Sequence, residues 1–230
     1  MNKQTKIYLT FLFVFCGMFI SCDTTAKNNA VVLPEIDSDY RQLYEDLQLS
    51  GKVSFQAFSQ AVAGYSQIDV KKPILTLIDF SKPSTEERFF VIDMEARKVL
   101  FESLVAHGKN SGENYAISFS NEKGSNKSSL GFFLTEKTYH GKHGLSLVLD
   151  GLEQNINHNA KSRAVVIHGA DYCSEKHIRT HGRLGRSWGC PALPRDITKD
   201  VIETIKDGSL VYIYSKKNND NYLEESKFFQ

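Results

Sequence analysis

Residues 164–193 read AVVIHGADYCSEKHIRTHGRLGRSWGCPAL, and this stretch limits the fold more than any other. It opens with an apolar run that ends at His168-Gly169 and closes with Ser187-Trp188-Gly189-Cys190-Pro191. A short apolar run bounded by glycine reads as a buried strand. Such a strand delivers a histidine at its end, and the following loop delivers a cysteine. A thiol attacks as its thiolate, and a nearby imidazole is the usual route to one. The pattern nominates Cys190 as nucleophile and His168 as its base. The imidazole needs an acceptor on its other nitrogen, which the Gly169 carbonyl can supply. Gly189 has no Cβ, so substrate can come close. The N–H groups around Gly189 and Cys190, in the loop that Ser187 shares, are candidates for holding an oxyanion. Pro191 fixes the backbone just after the cysteine.

The rest of the chain supplies a frame for that pair. Ile36, Tyr40, Leu43, Tyr44 and Leu47 recur at helical spacing and Gly51 ends the run. A second helix is expected over residues 54–65 with Ser54 as its cap; together the two make a helical segment over residues 35–72. From residue 73 the pattern changes. Runs at 74–80, 88–93, 98–105, 130–135, 139–149, 163–167 and 209–215 read as strands. A long polar stretch, 106–129, interrupts them, and loops of that length in compact domains are usually functional. A short helix over residues 196–206 follows the cysteine. Residues 216–230 are charged and read as a flexible tail. The class expected is mainly β (α+β), a sandwich or barrel over residues 73–215 with helices added at its edges.

The N-terminus adds a location. Lys3 and Lys6 precede an apolar run over residues 7–20 that stops at Ser21-Cys22. That is short for a membrane span and fits a signal-peptide core over residues 1–21. Ser21-Cys22 resembles a lipobox, whose cysteine is lipidated, although Phe19 stands where leucine is usual. The expectation is an exported protein in the cell envelope, anchored through Cys22, with residues 22–34 as a tether. The net charge of +1 gives no sign of nucleic-acid binding. Zinc-ribbon spacing and a phosphate-binding glycine loop are absent from the sequence, and no cofactor is implied. Cys173 and Cys190 are left for the folded part. In an exported protein they can join as a cystine, but the residues around Cys190 argue for chemistry.

His168-Gly169 together with Leu184-Gly185-Arg186-Ser187-Trp188-Gly189-Cys190-Pro191-Ala192-Leu193 resembles the YkuD-type L,D-transpeptidase catalytic domain, closest to its murein branch. Val105-Ala106-His107-Gly108, Phe119-Ser120-Asn121, Lys127-Ser128-Ser129-Leu130-Gly131 and Gly144-Leu145-Ser146-Leu147 resemble further elements of that branch. The resemblance covers roughly residues 74–215. It implies a mostly β fold and a cysteine–histidine mechanism on peptidoglycan stem peptides. Cys190 would attack a meso-diaminopimelate–D-alanine bond and His168 would protonate the departing D-alanine. An amine or water would then resolve the thioester. Two positions depart from the pattern: Trp188 replaces a histidine, and Ala192 replaces an arginine. Arg186 or Arg195 is the candidate to take over contact with a substrate carboxylate. His140, Ser120, Asn121 and Trp188 are the other candidates for binding substrate.

Two rival readings stand beside this one. His168, Cys173, His177 and His181 form an H-x4-C-x3-H-x3-H run, and His177 and His181 share one face of a helix, as zinc ligands often do. That would make a metal-dependent peptidase or a structural zinc site. The loss of histidine at Trp188 favours instead a cell-wall binding module that kept the fold without the chemistry.

Overall fold

A computed structural model of the protein describes residues 38–229. The expected signal segment, the lipidation at Cys22 and the tether lie outside the described residues.

Helix α1 spans Ser38–Asp46 and α2 spans Phe55–Tyr65. Ser54 caps α2 as its sequence position suggests: its side chain accepts from the Ala57 N–H at 3.1 Å. That satisfies one of the donors a helix start leaves open. The helix lies on the sheet through Ala57, Phe58, Ala61 and Val62, all buried. Its polar side chains also bind inward. Tyr212 donates to Gln60 Oε1 at 2.7 Å and Tyr214 to Gln56 Oε1 at 2.9 Å. Gly64 lets the helix come close, because a Cβ there would stand 2.0 Å from Phe132 Cζ.

The strands are β1 Ile74–Asp79, β2 Phe89–Asp93, β3 Lys98–Ser103, β4 Gly131–Gly141, β5 Gly144–Gly151, β6 Val166–Gly169, β7 Ala192–Leu193 and β8 Leu210–Tyr214. They form one sheet in the order β3-β2-β1-β8-β4-β5-β6-β7, with only β1–β8 and β6–β7 parallel. The two ends of that order meet. Ala106, just beyond β3, bridges Ala192 of β7, with N–H···O distances of 2.8 and 3.2 Å in the two directions. The sheet therefore almost closes on itself, which resolves the sandwich-or-barrel alternative in favour of a barrel-like sheet. Closure also removes most of the exposed edge such a sheet would carry. β1 and β8 are buried along their whole length. Helix α3 spans Glu175–His181. Helix α4, Arg195–Ile205, buries Val201, Ile202 and Ile205. Each such side chain contributes on the order of 1.5–3 kcal/mol.

Two expectations from the sequence fail here. The turn between the fourth and fifth strands is not before Tyr139. β4 runs on through Glu136 and Lys137 to Gly141, and the chain reverses at Lys142-His143, inside the run read as one strand. The second half of β4 is largely exposed, so its polar residues look like a break in the sequence; a register shift between Thr135 and Thr138 carries the strand past them. The tail, too, is docked. Residues after β8 form a short turn, Lys216–Asn218, and helix α5, Asn219–Glu225. Tyr222 and Leu223 are buried, and Phe228 lies edge-on to Phe132 at 5.0 Å. The buried Glu153 carboxylate ties this end down. It accepts from the Phe132 N–H at 2.6 Å, from Tyr222 Oη at 3.2 Å and from the Ser226 hydroxyl. Burial pushes Glu153 above the usual carboxylate range and these donors oppose that rise.

Candidate active site

Strand β6 builds one wall. Ser146 of β5 lies opposite His168, and Ala192 of β7 flanks it on the other side. Strand alternation sorts the run: Val166 and His168 face a cavity, and Ile167 enters the core. His168 is 2% exposed. Its Nδ1 lies 3.1 Å from the Gly169 carbonyl, which leaves Nε2 for substrate or thiol. Burial pushes the imidazole below its usual range. The Gly169 carbonyl counters this, and His143, Arg195 and Lys142 add to the depression.

The loop that carries Cys190 is held by backbone and hydroxyl groups. Ser187 Oγ accepts from the Gly189 N–H at 3.0 Å and donates to the Cys190 carbonyl at 2.6 Å. Ser187 N–H donates to the His107 carbonyl at 2.9 Å, and Lys109 N–H to the Ser187 carbonyl at 2.8 Å. Ser128 Oγ accepts from Gly108 N–H and donates to the Gly189 carbonyl. Gly189 has φ of +128°, and a Cβ there would meet the Lys127 carbonyl at 2.8 Å. The long polar stretch after β3 is thus the clasp around the cysteine loop. Arg88 anchors the clasp from inside. Fully buried, it donates to the Val105 and Lys82 carbonyls and, at 2.8 Å, to His107 Nδ1.

Cys190 Sγ reaches the same cavity as His168, a space of about 590 Å³. Close packing pushes the thiol above its ordinary value, while the Val166 backbone, Arg163 and Lys142 hold it down. Among the described residues no hydrogen bond joins Sγ to the His168 ring. The thiol instead points at the Ala164 carbonyl, 3.6 Å away. Burial works against charge on both groups, lowering His168 and raising Cys190. The expected Gly189 oxyanion donor is also displaced, because Ser187 takes its N–H. The Cys190 N–H, which meets no acceptor among the described residues, is the donor left at that point.

The candidate substrate contacts divide. Arg186 and Trp188 line the cavity; His140, Ser120 and Asn121 do not. His140 lies between Tyr139 and Gly141, which do, so strand alternation turns it outward. The Ser120 carbonyl accepts from Arg163 at 2.6 Å. Asn121 binds His158 and the Asn159 N–H. Both residues are used up in holding their own loop. Arg195 pairs with Asp171 at 2.6 Å, away from the lining. The sequence reading missed Arg163, Lys142 and Tyr139 as cavity residues and took Tyr172 for a packing residue; His143, which its place beside Gly144 marks as a candidate for the cleft, does line it. His143 stacks on His168 with ring centroids 4.4 Å apart.

The zinc quartet does not assemble. His177 and His181 stack on α3, while Cys173 is buried in an apolar cluster with Ala170 and Leu184. Among the described residues no three His, Cys, Asp or Glu side chains come together as a metal site. Cys173 and Cys190 are both free, so the cystine alternative fails too. Burial pushes Cys173 up to about 12.

A nearly closed sheet with a cysteine and a histidine opening on one cavity defines an L,D-transpeptidase-type domain when set beside known families. Residues 49–214 match the family model described as L,D-transpeptidase catalytic domain (YkuD_2). The chain belongs to that family. No curated protein matches it. Among solved structures it is similar to an L,D-transpeptidase from Mycobacterium smegmatis, at 13% identity and a TM-score of 0.39, covering 62% of this chain and 58% of that one. It is also similar to the helical cell shape determining protein Pgp2 from Campylobacter jejuni, at 14% identity and a TM-score of 0.40, covering 64% and 49%. A third is an L,D-transpeptidase from Mycobacterium tuberculosis H37Rv, at 14% and 0.35, covering 62% and 57%. The chain thus spans less than two thirds of each of these proteins.

Proposed function

We propose that the protein is a cysteine-dependent L,D-transpeptidase that acts on peptidoglycan tetrapeptide stems. The observation that carries this reading is the meeting at one cavity of His168, on β6, and Cys190, in the loop that leads into the neighbouring β7. In the first half-reaction the Cys190 thiol proton passes to His168 Nε2 as Sγ bonds to the meso-diaminopimelate carbonyl. The Cys190 N–H faces the oxygen that becomes negative. The tetrahedral intermediate collapses, the C–N bond to D-alanine breaks, and the imidazolium returns its proton to the leaving amine. In the second half-reaction an amine or water attacks the thioester, His168 takes its proton, and the thiol is restored. An amine acceptor gives a cross-link or an exchanged terminus; water gives an L,D-carboxypeptidase. The location that goes with this substrate is the cell envelope, with export directed by residues 1–21 and a lipid anchor on Cys22.

A non-catalytic binding module is favoured by one observation, the lack of a hydrogen bond between Sγ and the imidazole. Incubation with disaccharide tetrapeptide separates the two. Wild type and Cys173→Ala should release D-alanine, and Cys190→Ala should not while remaining folded. A carbapenem should leave an adduct on Cys190 alone. Intact substrate and no adduct with the wild-type protein would establish the binding module.

A further inference from the structure

The cavity is one-sided in charge. Lys142, Arg163 and Arg186 line it with two histidines, and no aspartate or glutamate does. Two of these cations are already engaged. The Arg163 guanidinium donates to the Ser120 and Lys127 carbonyls and to the Ser129 hydroxyl. Arg186 Nη1 pairs with Glu113 at 2.7 Å. Lys142 is different, and so is Lys109 at the cavity's edge. Among the described residues neither has a carboxylate within ion-pair distance.

Both ammonium groups gather on one indole. Lys142 Nζ lies 4.9 Å from the centroid of the Trp188 ring, and Lys109 Nζ lies 5.6 Å from it. Trp188 is 71% exposed, so the group faces incoming ligand. The lysines come from different elements. Lys142 is on the two-residue β4–β5 turn, and Lys109 is in the clasp, where its N–H binds the Ser187 carbonyl. Both charges bear on the same ring, and an aromatic face balances them only in part. A carboxylate supplies the missing counter-charge, its oxygens accepting from either ammonium group. Lys142 is also near the chemistry: its charge favours the Cys190 thiolate and disfavours a protonated His168.

We propose that Lys109 and Lys142, converging on Trp188, form a carboxylate-binding site at the mouth of the active cavity, and that the protein thereby selects donor peptides with a free carboxylate close to the scissile bond. The selection rests on the acyl-transfer reading above. The carboxylate has two sources in such a peptide, the C-terminus of the leaving residue or the side chain of the residue before it. One site of this kind distinguishes acid from amide at either position.

Trp188 is the only tryptophan in the chain, so its fluorescence reads ligand at this site without turnover. The full chain carrying Cys190→Ala is titrated with three synthetic tetrapeptides: the free acid, the C-terminal carboxamide, and the peptide amidated at the side-chain carboxylate. The acid should bind about tenfold more tightly than one of the amides, the scale of one charge-assisted pair near a surface. The amide that loses affinity identifies the carboxylate held. Adding Lys109→Met and Lys142→Met together should bring the acid down to that amide, and Lys142→Arg should keep the preference. Equal binding of all three peptides overturns the site and leaves the acyl-transfer reading standing, as does a preference that survives the double methionine variant. If no peptide binds, both the site and the proposed function fall.

Discussion

Ser187 offers the sharpest test of how the nucleophile loop is held. Its side chain is almost fully buried, and its one hydroxyl serves two backbone groups that flank the reacting sulfur. It accepts from the Gly189 N–H at 3.0 Å and donates to the Cys190 carbonyl at 2.6 Å. Ser187→Ala removes both bonds and replaces neither. A buried backbone group left unmatched costs about 1–3 kcal/mol. Gly189 and Cys190 lie near the cavity, where water can take over in part, so the lower end applies and the pair together is worth about 2–3 kcal/mol. The family fold does not depend on this loop alone, so most of the loss should fall on Cys190 placement. At 1.4 kcal/mol per decade, that is a drop of roughly 30- to 150-fold in acylation rate. The assay is the second-order rate of adduct formation between a carbapenem and Cys190, followed by intact-protein mass, with thermal unfolding recorded in parallel. Ser187→Thr, which keeps the hydroxyl, should stay near the wild-type rate. Acylation of Ser187→Ala within threefold of wild type, whatever its stability, would refute the argument that the hydroxyl sets the geometry of the thiol.

Gly64→Ala should destabilise the protein even though alanine favours helix by about 1 kcal/mol. Its Cβ would stand 2.0 Å from Phe132 Cζ, and overpacking of that kind costs about 1–3 kcal/mol; a denaturant midpoint shifted upwards would contradict this. Deleting residues 216–230 should lower the thermal midpoint by many degrees, because it uncovers Phe132 and removes the Tyr222 and Ser226 donors to Glu153; a truncated chain as stable as the whole would show the tail to be dispensable. For acylation of Cys190 the rate should fall with acid only below the ordinary histidine range, since His168 is depressed and accepts the thiol proton as long as it stays neutral. On the alkaline side the rate should keep rising past the ordinary thiol range, because Cys190 is raised. An acid limb at or above the ordinary histidine value would contradict the first half of that pair.

Local signals carried well from sequence to structure. Ser54 caps α2 because a serine just before an apolar helical face has an N–H within reach, and that is a four-residue matter. The run ending at His168-Gly169 does contain a strand, Val166–Gly169, while Arg163 and Ala164, read into it from the sequence, lie in a turn. What failed was parity and distance. His140 and Tyr139 are neighbours, and only the register of β4 decides which one faces the cavity; the register shift near Thr135 is invisible in composition. Arg163, Lys142 and Tyr172 meet at Cys190 because β5, β6 and β7 pair, and pairing across that distance leaves no local trace. The tail was legible after all. Tyr222, Leu223, Phe228 and Phe229 are apolar side chains that a freely solvated tail has no use for, and the charged residues among them hid the pattern.

The clasp explains why the pH dependence should report on the cavity and on little else. Arg88 is buried without a carboxylate and is lowered to about 9, yet it remains charged at neutral pH. Burial, with the Arg88 charge added to it, lowers His107 to about 3, so that ring stays neutral through the whole working range. A neutral His107 that accepts from Arg88 at Nδ1 must carry its proton on Nε2, and that nitrogen lies 3.3 Å from the Gly112 carbonyl. One tautomer therefore satisfies both partners, and no titration between those two limits disturbs it. The His107 carbonyl in turn receives the Ser187 N–H, and Ser187 sets the backbone of Cys190. A loop built on carbonyls, hydroxyls and one permanent cation leaves proton movement near neutral pH to the groups that face the substrate. Arg88→Met should break this separation. It keeps most of the buried volume but abandons the Val105 and Lys82 carbonyls and His107 Nδ1, at about 1–3 kcal/mol each. The variant should unfold more readily, and if it folds, its acid limb should move, because His107 keeps the burial that depresses it but loses the Arg88 charge that adds to that depression. A variant with wild-type stability and an unmoved profile would show that the clasp does not depend on the arginine.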